Sequence, residues 1–250
     1  GDKEEKVQLM PYDKNLYELA YAVYLQSGNL NKAFILASAA VKQEPHNKEW
    51  RSRLRQVALW VSEPTVALNQ NIYLAKHFND PFAQEEGLKL AKQLNYDLAY
   101  SWFLHRDISK TPSSEELWKK YIDVMFKLGN LKQLALDLDF NIQQMSKLIY
   151  YNAFIKIYKL ADDPDGQLNV LKRAVSVLGP QADYVSQIAT IYMTRGEFKR
   201  AWDIVQQGKK TSKANDINFW STYAQVAYLN QKTSDEIFAQ KKLLDVDNPV

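Results

Sequence analysis

Apolar residues recur three and four positions apart through most of the chain. Tyr17, Ala20, Tyr21 and Tyr24 form one such set; Leu30, Ala33, Phe34, Ala37 and Ala40 form the next. That spacing puts each set on one face of an α-helix. Between the two, Ser27-Gly28-Asn29 breaks the pattern, because glycine adopts the left-handed conformation of a helix C-terminal cap. Glu44-Pro45 closes the second helix, since proline cannot continue it and restricts the residue before it. The pattern reads helix, short turn, helix.

This unit recurs. Pro45, Pro112, Pro180 and Pro249 are spaced by about twice 34 residues, and Pro81 falls between the first two. Gly28, Gly129 and Gly196 keep the same period, as do Ala33 with Ala67 and Tyr158 with Tyr192. One helical pair cannot bury both its faces, so units of this kind must stack on their neighbours. The expected organisation is an N-terminal extension over 1–13, then repeats over about 14–47, 48–81, 80–113, 115–148, 148–181, 182–215 and 216–249. That is an all-α solenoid of about fourteen helices with no sheet. The last unit lacks a helix with a polar outer face, which predicts a piece of a longer array.

The unit resembles the tetratricopeptide repeat (TPR). The first repeat offers Tyr17, Tyr24, Gly28, Ala33, Ala40 and Pro45; the fourth offers Trp118, Gly129 and Leu131; the fifth Tyr151, Tyr158, Ala174 and Pro180. The sixth offers Ile188, Ala189, Tyr192, Gly196, Phe198, Ala201 and Gly208. The second and third repeats depart from the pattern, with Glu63-Pro64 and Asn95-Tyr96-Asp97 where glycine is expected, and the seventh has Gln231. The resemblance implies a right-handed superhelix whose concave surface is lined by the first helix of each pair and binds a protein partner.

Composition narrows the chemistry. The 250 residues carry a net charge of +3, too even a balance for nucleic-acid binding by bulk electrostatics. Without cysteine there are no disulfides, thiolate nucleophiles or thiolate metal sites. No stretch approaches the 18 apolar residues that predict a membrane span. His46, His77 and His105 lack a second histidine at ligand spacing. Asp162-Asp163-Pro164-Asp165-Gly166 has Ala161 and Lys172 where a calcium loop needs oxygen ligands, so it reads as a turn. Gly208-Lys209-Lys210-Thr211 lacks the earlier glycine of a phosphate loop. Asp137 and Asp139 are two apart and face different sides of a helix. The expectation is no enzyme, no cofactor, no metal and no nucleic acid.

Recognition is the remaining function. One face of each first helix nominates Gln56, Trp60, Lys119, Asp123, Phe126, Lys127, Lys156 and Tyr228 as partner-binding residues. Gln84, Leu88, Asn152, Lys159, Ser186 and Gln225 share that face. Trp60, Phe126 and Tyr228 are the anchors, because large aromatics dominate interface energetics, although each also suits a core. Two basic clusters, Arg51/Arg53/Arg55 and Lys199/Arg200/Lys209/Lys210/Lys213, read either as solvated faces or as patches for an acidic partner. The carboxylate clamp of chaperone-binding TPRs is disfavoured, since Glu18 and Ala22 stand at its places.

Residues 50–76, WRSRLRQVALWVSEPTVALNQNIYLAK, and the following EEGLKLAKQLNYDLAYSW carry a second, narrower resemblance. They look like the degenerate repeats in the periplasmic part of bacterial outer-membrane exopolysaccharide exporters of the Pel polysaccharide porin type. This implies a periplasmic scaffold that recruits a polysaccharide deacetylase or hydrolase, with contact to the polysaccharide itself. A cytoplasmic TPR adaptor and direct glycan binding along the groove are the alternatives.

Overall fold

A computed structural model describes residues 10–247. Residues 1–9 of the expected N-terminal extension and the period-marking Pro249 lie outside the described residues. Those described form fourteen α-helices and no strand. They are α1 (Lys14–Gln26), α2 (Leu30–Gln43), α3 (Lys48–Trp60), α4 (Pro64–Phe78), α5 (Pro81–Gln93), α6 (Asp97–Lys110) and α7 (Glu115–Leu128). There follow α8 (Leu131–Phe140), α9 (Lys147–Leu160), α10 (Pro164–Leu178), α11 (Ala182–Thr194), α12 (Phe198–Lys209), α13 (Ile217–Leu229) and α14 (Thr233–Asp247). Odd-numbered helices open the repeats and even-numbered ones close them.

The turn inside each pair is one structure used seven times. A single residue is left-handed at 28, 62, 95, 129, 162, 196 and 231. The residue after it donates its N–H five positions back, as in Asn29 to Tyr24, Glu63 to Ala58, Asn130 to Met125 and Lys232 to Ala227, at 2.7–3.1 Å. The left-handed residue donates three positions back, as in Gly28 to Leu25 and Gln231 to Tyr228. These are the two bonds of a Schellman cap. In the second repeat the residue that takes glycine's place is Ser62, one position before the expected Glu63-Pro64. Glu63 is instead the N-cap of α4, with Pro64 in its first turn.

Glycine relieves a Cβ clash in this conformation. A Cβ at Gly28 would meet nothing within 4 Å, so substitution there tests backbone conformation alone. Gly28→Ala is expected to destabilise by about 1 kcal/mol, and Gln231→Gly to stabilise by about as much. Urea unfolding followed by circular dichroism measures both; shifts of the same sign in the two variants would refute the role of the cap.

The outer connections explain the proline period. Asp13, Asn47, Asp80, Ser114 and Ser146 cap the first helices of five repeats, each accepting a first-turn backbone N–H. Pro45 and Pro112 stand two residues before such caps and keep the preceding helix from running through. Three or four residues after the cap an aromatic ring is buried: Tyr17, Trp50, Trp118, Tyr150, Tyr184 and Trp220. The indole N–H of Trp118 donates to the Pro112 carbonyl at 2.7 Å, and that of Trp220 to the Lys213 carbonyl at 2.8 Å. Each of these two rings thereby ties a helix to the turn that delivers it.

The chain divides into two compact units, 1–110 and 111–250. In the first, α1 to α6 pack in chain order around Tyr17, Trp50, Leu54 and Val57, and then around Leu68, Leu74, Ala83 and Phe103. In the second, α11 packs on both α12 and α13, and α9 packs on both α7 and α10. Gly208 permits close approach: a Cβ there would lie 2.6 Å from Phe219 and 2.9 Å from Val185. It is a packing residue, as its position in the sixth repeat suggests.

Candidate functional site

The opening helices of the second unit carry a series of clefts. The first, about 410 Å³, lies between α7 and α9 and is lined by Lys119, Ile122, Asp123, Phe126, Ile149, Asn152, Ala153 and Lys156. The second, about 440 Å³, lies between α9 and α11 and is lined by Asn152, Ile155, Lys156, Lys159, Leu160, Asp183 and Gln187. Further along, α11 and α13 flank a cleft lined by Asp183, Ser186, Asn215, Asp216 and Phe219, among others. The helical repeat places these side chains. Positions 119, 123 and 126 of α7 lie on one face at four- and three-residue steps, and 152, 156 and 159 of α9 do the same.

Four nominated residues therefore meet: Lys119, Asp123, Phe126 and Lys156. Their neighbours Asn152, Lys159 and Ser186 were on the same sequence-derived face. The Lys156 ammonium sits over the Phe126 ring, 4.3 Å from its centroid, a cation–π contact. Asn152 accepts a hydrogen bond from the Tyr184 hydroxyl at 2.7 Å, which fixes its side chain between the two clefts. Burial, with Asp183 adding to it, raises the Tyr184 phenol above its ordinary range.

The other nominated residues stand elsewhere. Lys127 lies at the end of α7, outside the lining of these clefts. Tyr228, on α13, is 66% exposed and likewise outside them. Gln56 and Trp60 belong to α3 in the first unit, where Trp60 is 50% exposed. Trp60 and Tyr228 are thus surface rings, not core, while Phe126 is half-buried. Gln84 is buried. Its amide donates to the Phe103 carbonyl at 2.8 Å and to Asp107 at 3.0 Å, so it is an internal bracket and not a groove residue.

The Arg51/Arg53/Arg55 cluster is used internally. The Arg51 guanidinium stacks 3.6 Å from the Tyr73 ring and donates to Gln70 and to the Pro45 carbonyl. Arg53 lies 4.6 Å from the Trp50 ring and 3.7 Å from Glu18. Arg55 lies over Phe82 and pairs with Glu86 at 2.8 Å. Arg51 and Arg55 share a helix face four residues apart and Arg53 lies off it, but each guanidinium is already engaged by a ring and a polar partner of this chain, so the three do not make a free basic patch. In the sixth repeat, Arg200 pairs with Glu197, and the Lys209 ammonium lies 4.8 Å from the Phe238 ring and 5.8 Å from the Tyr223 ring.

Sequence reasoning missed the apolar floors and the acidic edge. Ile122, Ile149 and Ile155 share the periodicity of core residues, and nothing in a single sequence separates a core isoleucine from a cleft floor. Asp183 and Asp216 lie at helix starts, where an acidic residue reads as helix-dipole chemistry. Among the described residues no group of three His, Asp or Glu side chains could hold a metal ion. No described helix is long and apolar enough to cross a membrane.

A family model described as a tetratricopeptide repeat matches residues 171–249. No curated protein matches the chain in sequence. Among solved structures, the C-terminal part of a TPR repeat-containing protein from Cytophaga hutchinsonii is 10% identical, with 92% of this chain and 95% of that one covered at a TM-score of 0.52. A chain of the Naa15/Naa10 structure bound to HypK-THB is 12% identical over 94% of this chain, with a TM-score of 0.53. This protein spans 36% of that chain's length. A tetratricopeptide repeat protein from Parabacteroides merdae is 14% identical, covering 100% of this chain and 95% of that one with a TM-score of 0.40. With the seven-fold cap geometry, the family match and the first two of these likenesses give the chain a tetratricopeptide-repeat fold.

Proposed function

We propose that the chain is a non-catalytic protein-binding scaffold, and that its binding face is the row of clefts along α7, α9 and α11. The observation that carries this reading is the convergence of Lys119, Asp123, Phe126 and Lys156 on one cleft with an apolar floor and a charged rim. An apolar centre ringed by polar groups is the anatomy of a non-obligate interface. Site-specific photo-crosslinking tests it. A benzophenone side chain at Asn152 is expected to capture a discrete protein in the native host, whereas one at exposed Asn169 on α10 captures none. Adding Phe126→Ala is expected to reduce the Asn152 adduct at least tenfold, as loss of a hot-spot ring does. Equal adducts from both positions would remove the groove from consideration.

The finer reading is periplasmic. Residues 50–76 and the segment after them support a scaffold for assembly or export of an exopolysaccharide, with a polysaccharide deacetylase or hydrolase as the recruited partner. The fold is compatible with that role and equally with a cytoplasmic adaptor. Identifying the Asn152 adduct by mass spectrometry separates the two: an envelope polysaccharide-modifying enzyme supports the first, a cytoplasmic protein the second.

A further inference from the structure

Granted the scaffold role, on which this inference rests, the two clefts beside α9 narrow the chemistry of the partner. The clefts share Asn152 and Lys156, so Lys156 stands on the ridge between two apolar floors, one of Ile122, Phe126 and Ile149 and one of Ile155 and Leu160. α9 carries Lys147, Lys156 and Lys159 and no acidic residue. The Lys147 ammonium donates to the Ile142 carbonyl. Lys156 and Lys159 form no ion pair with another described residue, while Lys156 is held against the Phe126 ring. The rims add Lys119, Asp123 and Asp183. Three ammonium groups therefore face two carboxylates, and Asp183 already accepts the Gln187 amide at 3.1 Å.

We propose that this ridge and its two clefts receive an extended protein segment of the pattern apolar, any residue, acidic, any residue, apolar. In an extended chain, residues i, i+2 and i+4 point to the same side, and i to i+4 spans about 13 Å at roughly 3.3 Å per residue. A helix with its side chains is about 10–12 Å across. The two apolar side chains thus straddle α9 and enter one cleft each, and the carboxylate between them meets Lys156. The ring beneath that ammonium holds it at the ridge before the partner arrives, which lowers the ordering cost of binding. A polysaccharide fits less well. The Phe126 ring face on which a sugar would stack is covered by Lys156, so a neutral glycan gains little here.

The test uses fluorescein-labelled peptides with the cores Leu-Ser-Glu-Ser-Leu, Leu-Ser-Lys-Ser-Leu and Ser-Ser-Glu-Ser-Ser between Gly-Ser flanks. Each is titrated with the 250-residue chain to millimolar concentration by anisotropy. The Glu peptide with two leucines is expected to bind at least tenfold more tightly than either of the others. Lys156→Glu, a substitution on the ridge between the clefts, is expected to reverse the preference toward the Lys peptide. Equal affinities, no reversal, or no binding by any peptide would overturn the proposal. So would polygalacturonate, used as a carbohydrate probe, binding more tightly than the Glu peptide in a Lys156-dependent way. If peptide selectivity fails while the Asn152 crosslink persists, the partner chemistry is wrong and the scaffold reading stands. If both fail, the groove is not the binding face.

Discussion

Trp50→Ala is expected to lower the unfolding free energy of the first unit by about 3–5 kcal/mol, the range for emptying a large aromatic site from a core. The Trp50 side chain is 0% exposed. Its ring is met edge-on by Tyr21 at 5.4 Å and Tyr17 at 6.2 Å, contacts that add to simple burial. The indole N–H donates to the Tyr12 hydroxyl at 3.1 Å, and Arg53 covers the ring. Alanine would remove all of this at once and leave a cavity where α1, α2 and α3 meet. Trp50→Phe keeps most of the ring and loses the donor, so its cost is expected nearer about 1–2 kcal/mol, that of a lost, partly buried hydrogen bond and a small void. Urea unfolding monitored by far-ultraviolet circular dichroism measures both. A loss below about 1 kcal/mol for Trp50→Ala would mean that the first repeats do not depend on this cluster.

The same site shows what a single sequence reveals. The repeat period was legible because its markers are residues with one physical purpose each: glycine in a left-handed turn, proline before a cap, alanine at a close crossing. Where other chemistry performs the same task, the signal faded. Ser62 and Gln231 occupy the left-handed turn position without glycine, held there by the two cap hydrogen bonds and by packing on either side. Gly87 illustrates the converse. It lies inside α5 with nothing in its sequence context to single it out. Yet a Cβ there would fall 2.2 Å from the ring of Phe103 on α6, so its purpose is visible only once both helices are in place.

The proposed binding face was half legible for a related reason. Stepping along one helix face finds exposed polar side chains, and it found Lys119, Asp123 and Lys156. It cannot find what comes between helices, such as the isoleucine floors or Asp183 arriving from α11. Nor can it tell a bracket from a binder: Gln84 and the three arginines of α3 have the composition of a surface, but their partners lie in neighbouring helices of the same chain.

Stability is also expected to collapse in alkali, more steeply than lysine deprotonation alone would cause. The Tyr121 hydroxyl is buried and donates to Asp137, itself buried and also bonded to Gln133 at 3.0 Å. Tyr150 donates to Asp139 at 2.6 Å. Burial first, and the neighbouring carboxylate second, push both phenols far above 10. A group whose folded value is raised contributes its full stability below the unfolded value and loses it as pH rises. The unfolded chain releases each of these protons near pH 10 while the folded chain keeps them, so the loss begins there and continues upward. Each tyrosine still protonated one unit higher costs about 1.4 kcal/mol. The two together therefore steepen the loss in the second unit by up to two protons for as long as the folded chain retains both. Urea unfolding at steps between about pH 8 and 11.5 measures the slope. Tyr121→Phe and Tyr150→Phe are each expected to flatten it by about one proton. A slope unchanged in the double variant would show that these phenols ionise in the folded protein as readily as in the unfolded one.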